Sequence, residues 1–311
     1  MSVDELKQLQ LKIIKKNKIC NIISFVFFVF FSIVLLKIII PIHIEAFNIV
    51  ILFFLNAIIC ALLMAIIKSV ANGKDINKFY KEFKNIFVLK TLQRFFENID
   101  YKSEEGFTKE YIDDVGMLDT GDRIYSNDYI SGTYKDIKFE QSDIHIEEKH
   151  EEEDDDGNKE EVWETIFMGR LMVFDFNKNF KANIQVVSHT FSANTLPWKK
   201  KFSNVKMEDI EFNKNFSVYA ESEHEAFYIL TPHFMEKIKD ITKKLNCGVM
   251  FGFVDSRLHI AIDNNDDSFE YNVFKPINEQ EIEEDIDKDI RIITNFVDEL
   301  NLYNNLFGKE V

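Results

Sequence analysis

Two stretches near the N-terminus contain no Asp, Glu, Lys, Arg or His: Ile19 to Leu36, ICNIISFVFFVFFSIVLL, and Ala46 to Ile67, AFNIVILFFLNAIICALLMAII. At about 1.5 Å of rise per residue, each is long enough to cross a hydrocarbon layer of about 30 Å. A helix is the form in which such a run satisfies its own backbone polar groups in lipid. A cleaved signal peptide is the competing reading of the first run and is not the expected one. The run exceeds the usual apolar core of about 7–15 residues, lacks a small-residue cleavage site and is followed at once by a second run. Only Lys37 to Glu45 separates the runs, so the expected arrangement is an antiparallel hairpin with both chain ends on one side.

Lysines set the expected orientation. Lys7, Lys12, Lys15, Lys16 and Lys18 precede the first run, and Lys68, Lys74, Lys78, Lys81 and Lys84 follow the second, whereas the loop between has Lys37 alone. This bias predicts that both termini are cytoplasmic. Cys20 and Cys60 fall inside the runs, leaving Cys247 as the only thiol of the remainder, which has no second one for an intrachain disulfide. Of the formal net charge of −16, residues 1–74 hold about +5 and the rest about −21. Such an acidic body predicts no nucleic-acid partner, because binding there needs a basic footprint. Asn21, Asn48 and Asn56 are the polar side chains expected at membrane depth, which suits helix packing better than transport. The expected contacts are thus the lipid bilayer and either a protein partner or a second copy.

Beyond the runs, apolar residues from Ile76 to Phe96 recur at three- and four-residue steps and predict an amphipathic helix over Asp75 to Asp100. After Glu105 the pattern becomes strand-like. Tyr129 to Tyr134, Ile137 to Glu147, Val162 to Phe176, Ala182 to His189, Asn215 to Ala220 and Ala226 to Leu230 read as strands that follow one another without helices, which implies antiparallel pairing. Thr231 and Pro232 then open a helix to Leu245. Gly248 to Val254 and Arg257 to Ile262 form a hairpin across Asp255 and Ser256, Glu270 to Phe274 reads as a short strand, and Glu279 to Leu306 is a long closing helix. The expected organisation is a basic N-terminus over 1–18, a two-helix transmembrane hairpin over 19–67, an amphipathic helical linker over 68–104, and a cytoplasmic α+β domain over 105–311. That domain is mainly antiparallel sheet with a long C-terminal helix.

The segment 147–161, EEKHEEEDDDGNKEE, contains ten acids and two lysines. Its charge density predicts a solvated hairpin loop around Asp156-Gly157. It lacks the alternating ligands and closing Glu of a calcium loop.

Catalytic signatures are missing: no Gly-rich phosphate loop, paired-Cys zinc site, His-Glu-x-x-His helix or nucleophile elbow occurs, so no metal and no cofactor is expected. The candidate binding residues are Asp128 and Tyr129, which stand where the sheet begins, and His145 and Glu147, two residues apart on one strand face. His224 stands between two carboxylates that would point to the opposite face of any strand, which makes it a weaker ligand candidate. Ser188 and His189 are adjacent, which does not make a catalytic pair. Cys247 reads as a buried thiol without a basic neighbour to activate it.

Six stretches in order, NDYISG (127–132), FEQSDIHIEE (139–148), IFMGRLMVFDFNKNFK (166–181), VKMEDIEFNKNFSVYAES (205–222), AFYILTPHFMEKI (226–238) and FGFVDSRLHIAI (251–262), resemble a bacterial membrane-protein family known only as domain of unknown function 3137. The resemblance implies a pair of membrane spans before a cytoplasmic domain, in the bacterial inner membrane, and brings no activity or catalytic residues. The acidic segment departs from the shorter, more basic hairpin usual there. The pentapeptide FNKNF occurs twice, at 176–180 and 212–216, with different flanks. It reads as two unrelated strand boundaries whose Phe residues reach the core and whose Asn-Lys-Asn segments do not. The expected function is a membrane-anchored binding or interaction module. The alternatives are a metal-assisted hydrolase built on His145 and Glu147, and a structural subunit of a membrane assembly.

Overall fold

The computed structural model describes residues 1–39, 46–153, 159–176, 180–191 and 197–303. The chain divides into two units, Met1–Val88 with Tyr271–Ile282, and Leu89–Glu270 with Glu283–Val311.

The first unit is dominated by two helices, α1 (Val3–Ile39) and α2 (Ala46–Phe83). Both are long and apolar enough to cross a membrane. They extend beyond the uncharged runs because nothing in the flanking lysine-rich segments breaks a helix, and Ser2 and Glu5 exchange hydrogen bonds at the start of α1. The helices are antiparallel. Lys12 and Lys16 near the start of α1 pair with Asp75 late in α2, at 3.1 and 2.6 Å, and Asn56 Nδ2 donates to Ser32 Oγ at 3.0 Å. Large apolar side chains such as Phe25, Phe30, Phe54 and Leu62 are exposed along both helices.

The helix expected over Asp75 to Asp100 is only partly formed. After α2 comes a π-helical turn, Lys84–Val88, and then α3 (Leu89–Phe95), whereas Glu97–Lys102 is strand β1, with Asn98 at φ 53°. The apolar stripe buries Phe79 and Phe83, and Tyr271 stacks on Phe83 with ring centres 4.8 Å apart. This contact also explains why Glu270 to Phe274 is not the strand its composition suggests. Gln10 Nε2 donates to the carbonyls of Val273 and Lys275, at 2.9 and 2.6 Å, so a side chain takes the place of a ladder.

The second unit is built on a nine-stranded sheet in which every pairing is antiparallel, in the order β1-β2-β3-β4-β9-β8-β5-β7-β6. The strands are β2 (Arg123–Tyr134), β3 (Ile137–Glu153), β4 (Lys159–Asp175), β5 (Ile184–Ser188), β6 (Ser203–Val205), β7 (Phe216–Ala220), β8 (Gly248–Val254) and β9 (Arg257–Asp263). Short helices α4 (Lys109–Val115), α5 (Pro197–Lys201), α6 (Ile210–Asn215) and α7 (Glu223–Ile229) join them, with the longer α8 (Pro232–Leu245) and α9 (Glu279–Glu299).

Strand alternation gives the sheet two apolar faces. Ile144, Ile146, Leu171, Val173, Met250 and Ala261 pack with Phe107 and Ile112 on one. On the other, Phe174 and Phe251 meet Phe296 of α9, Phe139 packs on Phe174, and Phe253 meets Phe234 of α8. The C-terminus of α9 closes in a Schellman turn: Asn301 has φ 52°, its N–H donates to the Asp298 carbonyl, and that of Leu302 donates to the Val297 carbonyl. The helix therefore stops before the expected Leu306, which lies outside the described residues.

Two further expectations are corrected. Ala226 to Leu230 is helical rather than extended, because Ser222 caps α7 by accepting from Glu225 N–H, and Ala226 and Ile229 then bury one stripe. His224 lies on that helix, not on a strand. The acidic segment is not a loop throughout: β3 and β4 run through it to Glu153 and Lys159, held by cross-strand pairs Lys149–Glu161 at 2.6 Å and Lys159–Glu151 at 2.8 Å. Asp156 and Gly157, the expected turn, lie outside the described residues.

All four Phe residues of the two FNKNF copies are buried. In the first copy Asn177 to Asn179 lie outside the described residues. The second copy enters β7 at Phe216, the strand boundary expected, and its Phe212 to Asn215 form the last turn of the preceding helix α6.

A buried carboxylate pocket as the candidate functional site

A β-bulge in β2 sets the site. The ladder pairs Asn127 with Asp143 and resumes with Ile130 opposite Gln141, leaving Asp128 and Tyr129 against a single β3 residue. Asp128 adopts a left-handed conformation, φ 54°, which Asp tolerates better than most residues. The bulge sends the two residues to opposite sides. Asp128 is fully buried beside Asp143, whereas Tyr129 packs edge-on against Phe107 on the opposite face.

Three carboxylates converge there. Asp128, Asp143 and the half-buried Asp267, which follows β9, each offer an oxygen, and these oxygens lie within 4.8 Å of one another. Tyr101 Oη donates to Asp128 Oδ1 at 2.5 Å, and Asn127 Nδ2 donates to Asp128 Oδ2 at 2.9 Å and Asp267 Oδ1 at 3.4 Å. Asp143 accepts from Ser268 through both the backbone N–H and the hydroxyl. Opposite it on β4, Arg170 is buried with its Nε 3.8 Å from Asp143 Oδ1, and it donates to Asp289 of α9 through Nη1 and Nη2. Gln141, two residues along the same strand face, is fully buried, and neither atom of its amide has a hydrogen-bond partner among the described residues.

Burial holds the Asp143 carboxyl well above the ordinary carboxylate range, against the opposing pull of Arg170, and a hydrogen bond shared with Asp267 adds to the rise. Burial, and after it the charge of Asp128, likewise push the Tyr101 phenol far up, so it remains a donor. A cavity of about 120 Å³ opens beside the carboxylates, lined by Asp143, Asp267, Asn127, His145 and Gly169 among others.

Of the four sequence candidates, Asp128 lies in the cluster and His145 on the cavity wall. Tyr129 faces away. Glu147 is drawn to Arg123, whose Nε donates to it at 2.6 Å, while His145 bonds Thr165 Oγ1 at 2.9 Å and stays 4.0 Å from Glu147. His145 and Glu147 thus do not form a matched acid/base pair. Asp143, Asp267 and Arg170 were not among the candidates. Asp143 in QSDIHI and Arg170 in MGRLMVF each put a charge at a core-facing position of an apolar strand, a sign of burial that does not reveal their meeting, and Asp267 carries no such sign.

Elsewhere, His189 bonds Ser217 Oγ at 3.1 Å while Ser188 Oγ accepts from Val249 N–H, so these neighbours act separately. Burial raises the Cys247 thiol, which disfavours the nucleophilic thiolate.

Hard oxygen donors in a polar, partly enclosed site suit a hard divalent cation. At about 2.4 Å per Ca²⁺–O bond, opposite ligands stand about 4.8 Å apart, the outer limit of the spacing here. Tight hydrogen bonding to Asp128 and Asp143 leaves the cavity side, where Asp267 and solvent meet, as the face on which an ion is completed by water.

No curated protein and no solved structure matches the chain. Residues 165–302, which include most of β4 and all of β9, Asp267 and α9, match the DUF3137 family model, described as protein of unknown function.

Proposed function

We propose that the chain is a membrane-anchored binding module: α1 and α2 cross the bacterial inner membrane as a hairpin, both termini are cytoplasmic, and the sheet domain binds a divalent cation through Asp128, Asp143 and Asp267. The observation that carries the binding role is the convergence of three carboxylates beside a cavity, with the guanidinium of Arg170 offsetting only part of their charge. Buried carboxylates in such number require a proton or a cation. Support for the anchor comes from the exposed apolar surface of α1 and α2 and from the lysines flanking both.

Two measurements test the reading. Equilibrium dialysis of the detergent-solubilised chain should show one Ca²⁺ or Mg²⁺ bound, lost in Asp267→Asn. In spheroplasts, a membrane-impermeant maleimide should label Ile42→Cys and spare Ser2→Cys, both in a background lacking the native cysteines. No bound ion overturns the ligand, and the reverse labelling overturns the orientation.

A further inference from the structure

The distal part of the β3–β4 ribbon has a free edge. β9 pairs with β4 from Gly169 to Asp175, and among the described residues no strand lies on the outer side of 159–165, which is exposed throughout. Every second residue of that stretch therefore turns its backbone N–H and C=O outward, a row of groups able to pair with another extended chain. The neighbouring β3 edge is partly closed, since Asp122 accepts from Lys149 N–H at 2.8 Å. β4 is the open side.

The charge on this ribbon is independent of its edge. Over 147–153 and 159–165 there are eight Asp or Glu residues and two lysines, and those lysines are already paired with Glu161 and Glu151. Two such ribbons repel each other, so the edge is protected from self-association and not from a basic chain. Trp163 and Val162 stand part-exposed among these acids, with the Arg123 guanidinium 4.0 Å from the Trp163 ring centre. The edge thus offers backbone pairing, negative charge and an apolar contact together.

We infer that the outer edge of β4, residues 159–165, is a docking strand for a lysine- or arginine-rich extended segment of a partner protein, which adds to the sheet by β-augmentation. The inference is separate from cation binding and survives its failure. Alternation matters: in an added strand every other side chain shares a face with Glu160, Val162 and Glu164 or with Glu161 and Trp163, so alternating basic and β-branched residues fit.

The test uses the full chain in detergent and two synthetic ten-residue peptides of equal charge. One alternates lysine with valine or threonine; the other has proline at three of the β-branched positions, which removes edge donors. The alternating peptide should slow amide exchange over 159–165 by about tenfold or more, the mark of formed backbone hydrogen bonds. It should also change Trp163 fluorescence, and the triple charge reversal Glu160→Lys, Glu161→Lys, Glu164→Lys should abolish both effects. Equal binding of the proline peptide without protection reduces the contact to charge attraction and overturns the inference, as does protection elsewhere or no binding.

Discussion

Arg170 on β4 stands directly across the ladder from Asp143 on β3, yet its closest hydrogen bonds run to Asp289 on α9. One guanidinium thereby ties the sheet to the helix that covers it. Removing one member of a buried charged group leaves the others uncompensated, at a cost of about 3–5 kcal/mol. Arg170→Met should lower the unfolding free energy of the solubilised chain, read from urea titration, by that order. The double variant Arg170→Met, Asp289→Leu should recover part of the loss, because the stranded carboxylate is then gone. Equal stability of Arg170→Met and wild type would refute the tie.

His259 of β9 predicts a pH dependence. It is buried, its Nε2 lies 3.1 Å from Tyr111 Oη, and its Nδ1 has no hydrogen-bond partner among the described residues. Burial first, and the charge of Arg257 second, lower its pKa to about 3 from an ordinary 6.5. Between these values the unfolded chain holds a proton that the folded chain refuses. The neutral ring's contribution is therefore full above pH 6.5 and is lost as pH falls toward 3, at up to about 1.4 kcal/mol per pH unit. His259→Gln should flatten the dependence of the urea midpoint on pH between 6.5 and 4. A variant as steep as wild type would assign the slope to other groups.

Legibility followed the range of the interactions. The strands of the 248–262 hairpin and the capped helix α8 are local patterns, and they appear with nearly the expected bounds. Helix α7 was legible too, since Ser222 and Glu225 stand at capping-box spacing, but β-rich composition over Ala226 to Leu230 outweighed that signal. The carboxylate pocket lay beyond any local pattern. It joins a bulge at Asp128, a strand position at Asp143 and a turn at Asp267, and only the β2–β3–β4–β9 order brings them together. Spacing along the chain instead favoured Glu147, which Arg123 claims.

Gly169 and Gly252 are both enclosed by the fold, and they should respond differently to alanine. At Gly169 an added Cβ would lie 1.9 Å from the Ile262 carbonyl oxygen on the paired strand β9. Backbone in the middle of a sheet cannot withdraw. At Gly252 the obstacle is Met117 Sδ at 2.1 Å, on a flexible side chain that can repack. Gly169→Ala should destabilise the chain by more than about 3 kcal/mol and close the carboxylate cavity, whereas Gly252→Ala should cost about 1–3 kcal/mol, the usual range for overpacking. Thermal unfolding of the two variants side by side checks the order, and a milder Gly169→Ala would contradict it.

The last prediction concerns the hairpin. Asn56 is buried between α1 and α2 and donates to Ser32 Oγ at 3.0 Å, while Cys60 lies 3.7 Å from its side-chain oxygen. With the hairpin in lipid, as proposed above, leucine would be better solvated than asparagine, so Asn56→Leu would gain transfer energy but give up the interhelical bond and have to fit a larger apolar group against Ser32. Such bonds contribute about 0.6–2 kcal/mol in membranes. The informative quantity is therefore the coupling rather than the single change. In a cycle of Asn56→Ala, Ser32→Ala and the double variant, measured by unfolding in mixed detergent, the two losses should fail to add by about that amount. Strict additivity would mean that the pair does not hold the helices together, and that their antiparallel packing rests on apolar contact and on the Lys12 and Lys16 pairs with Asp75.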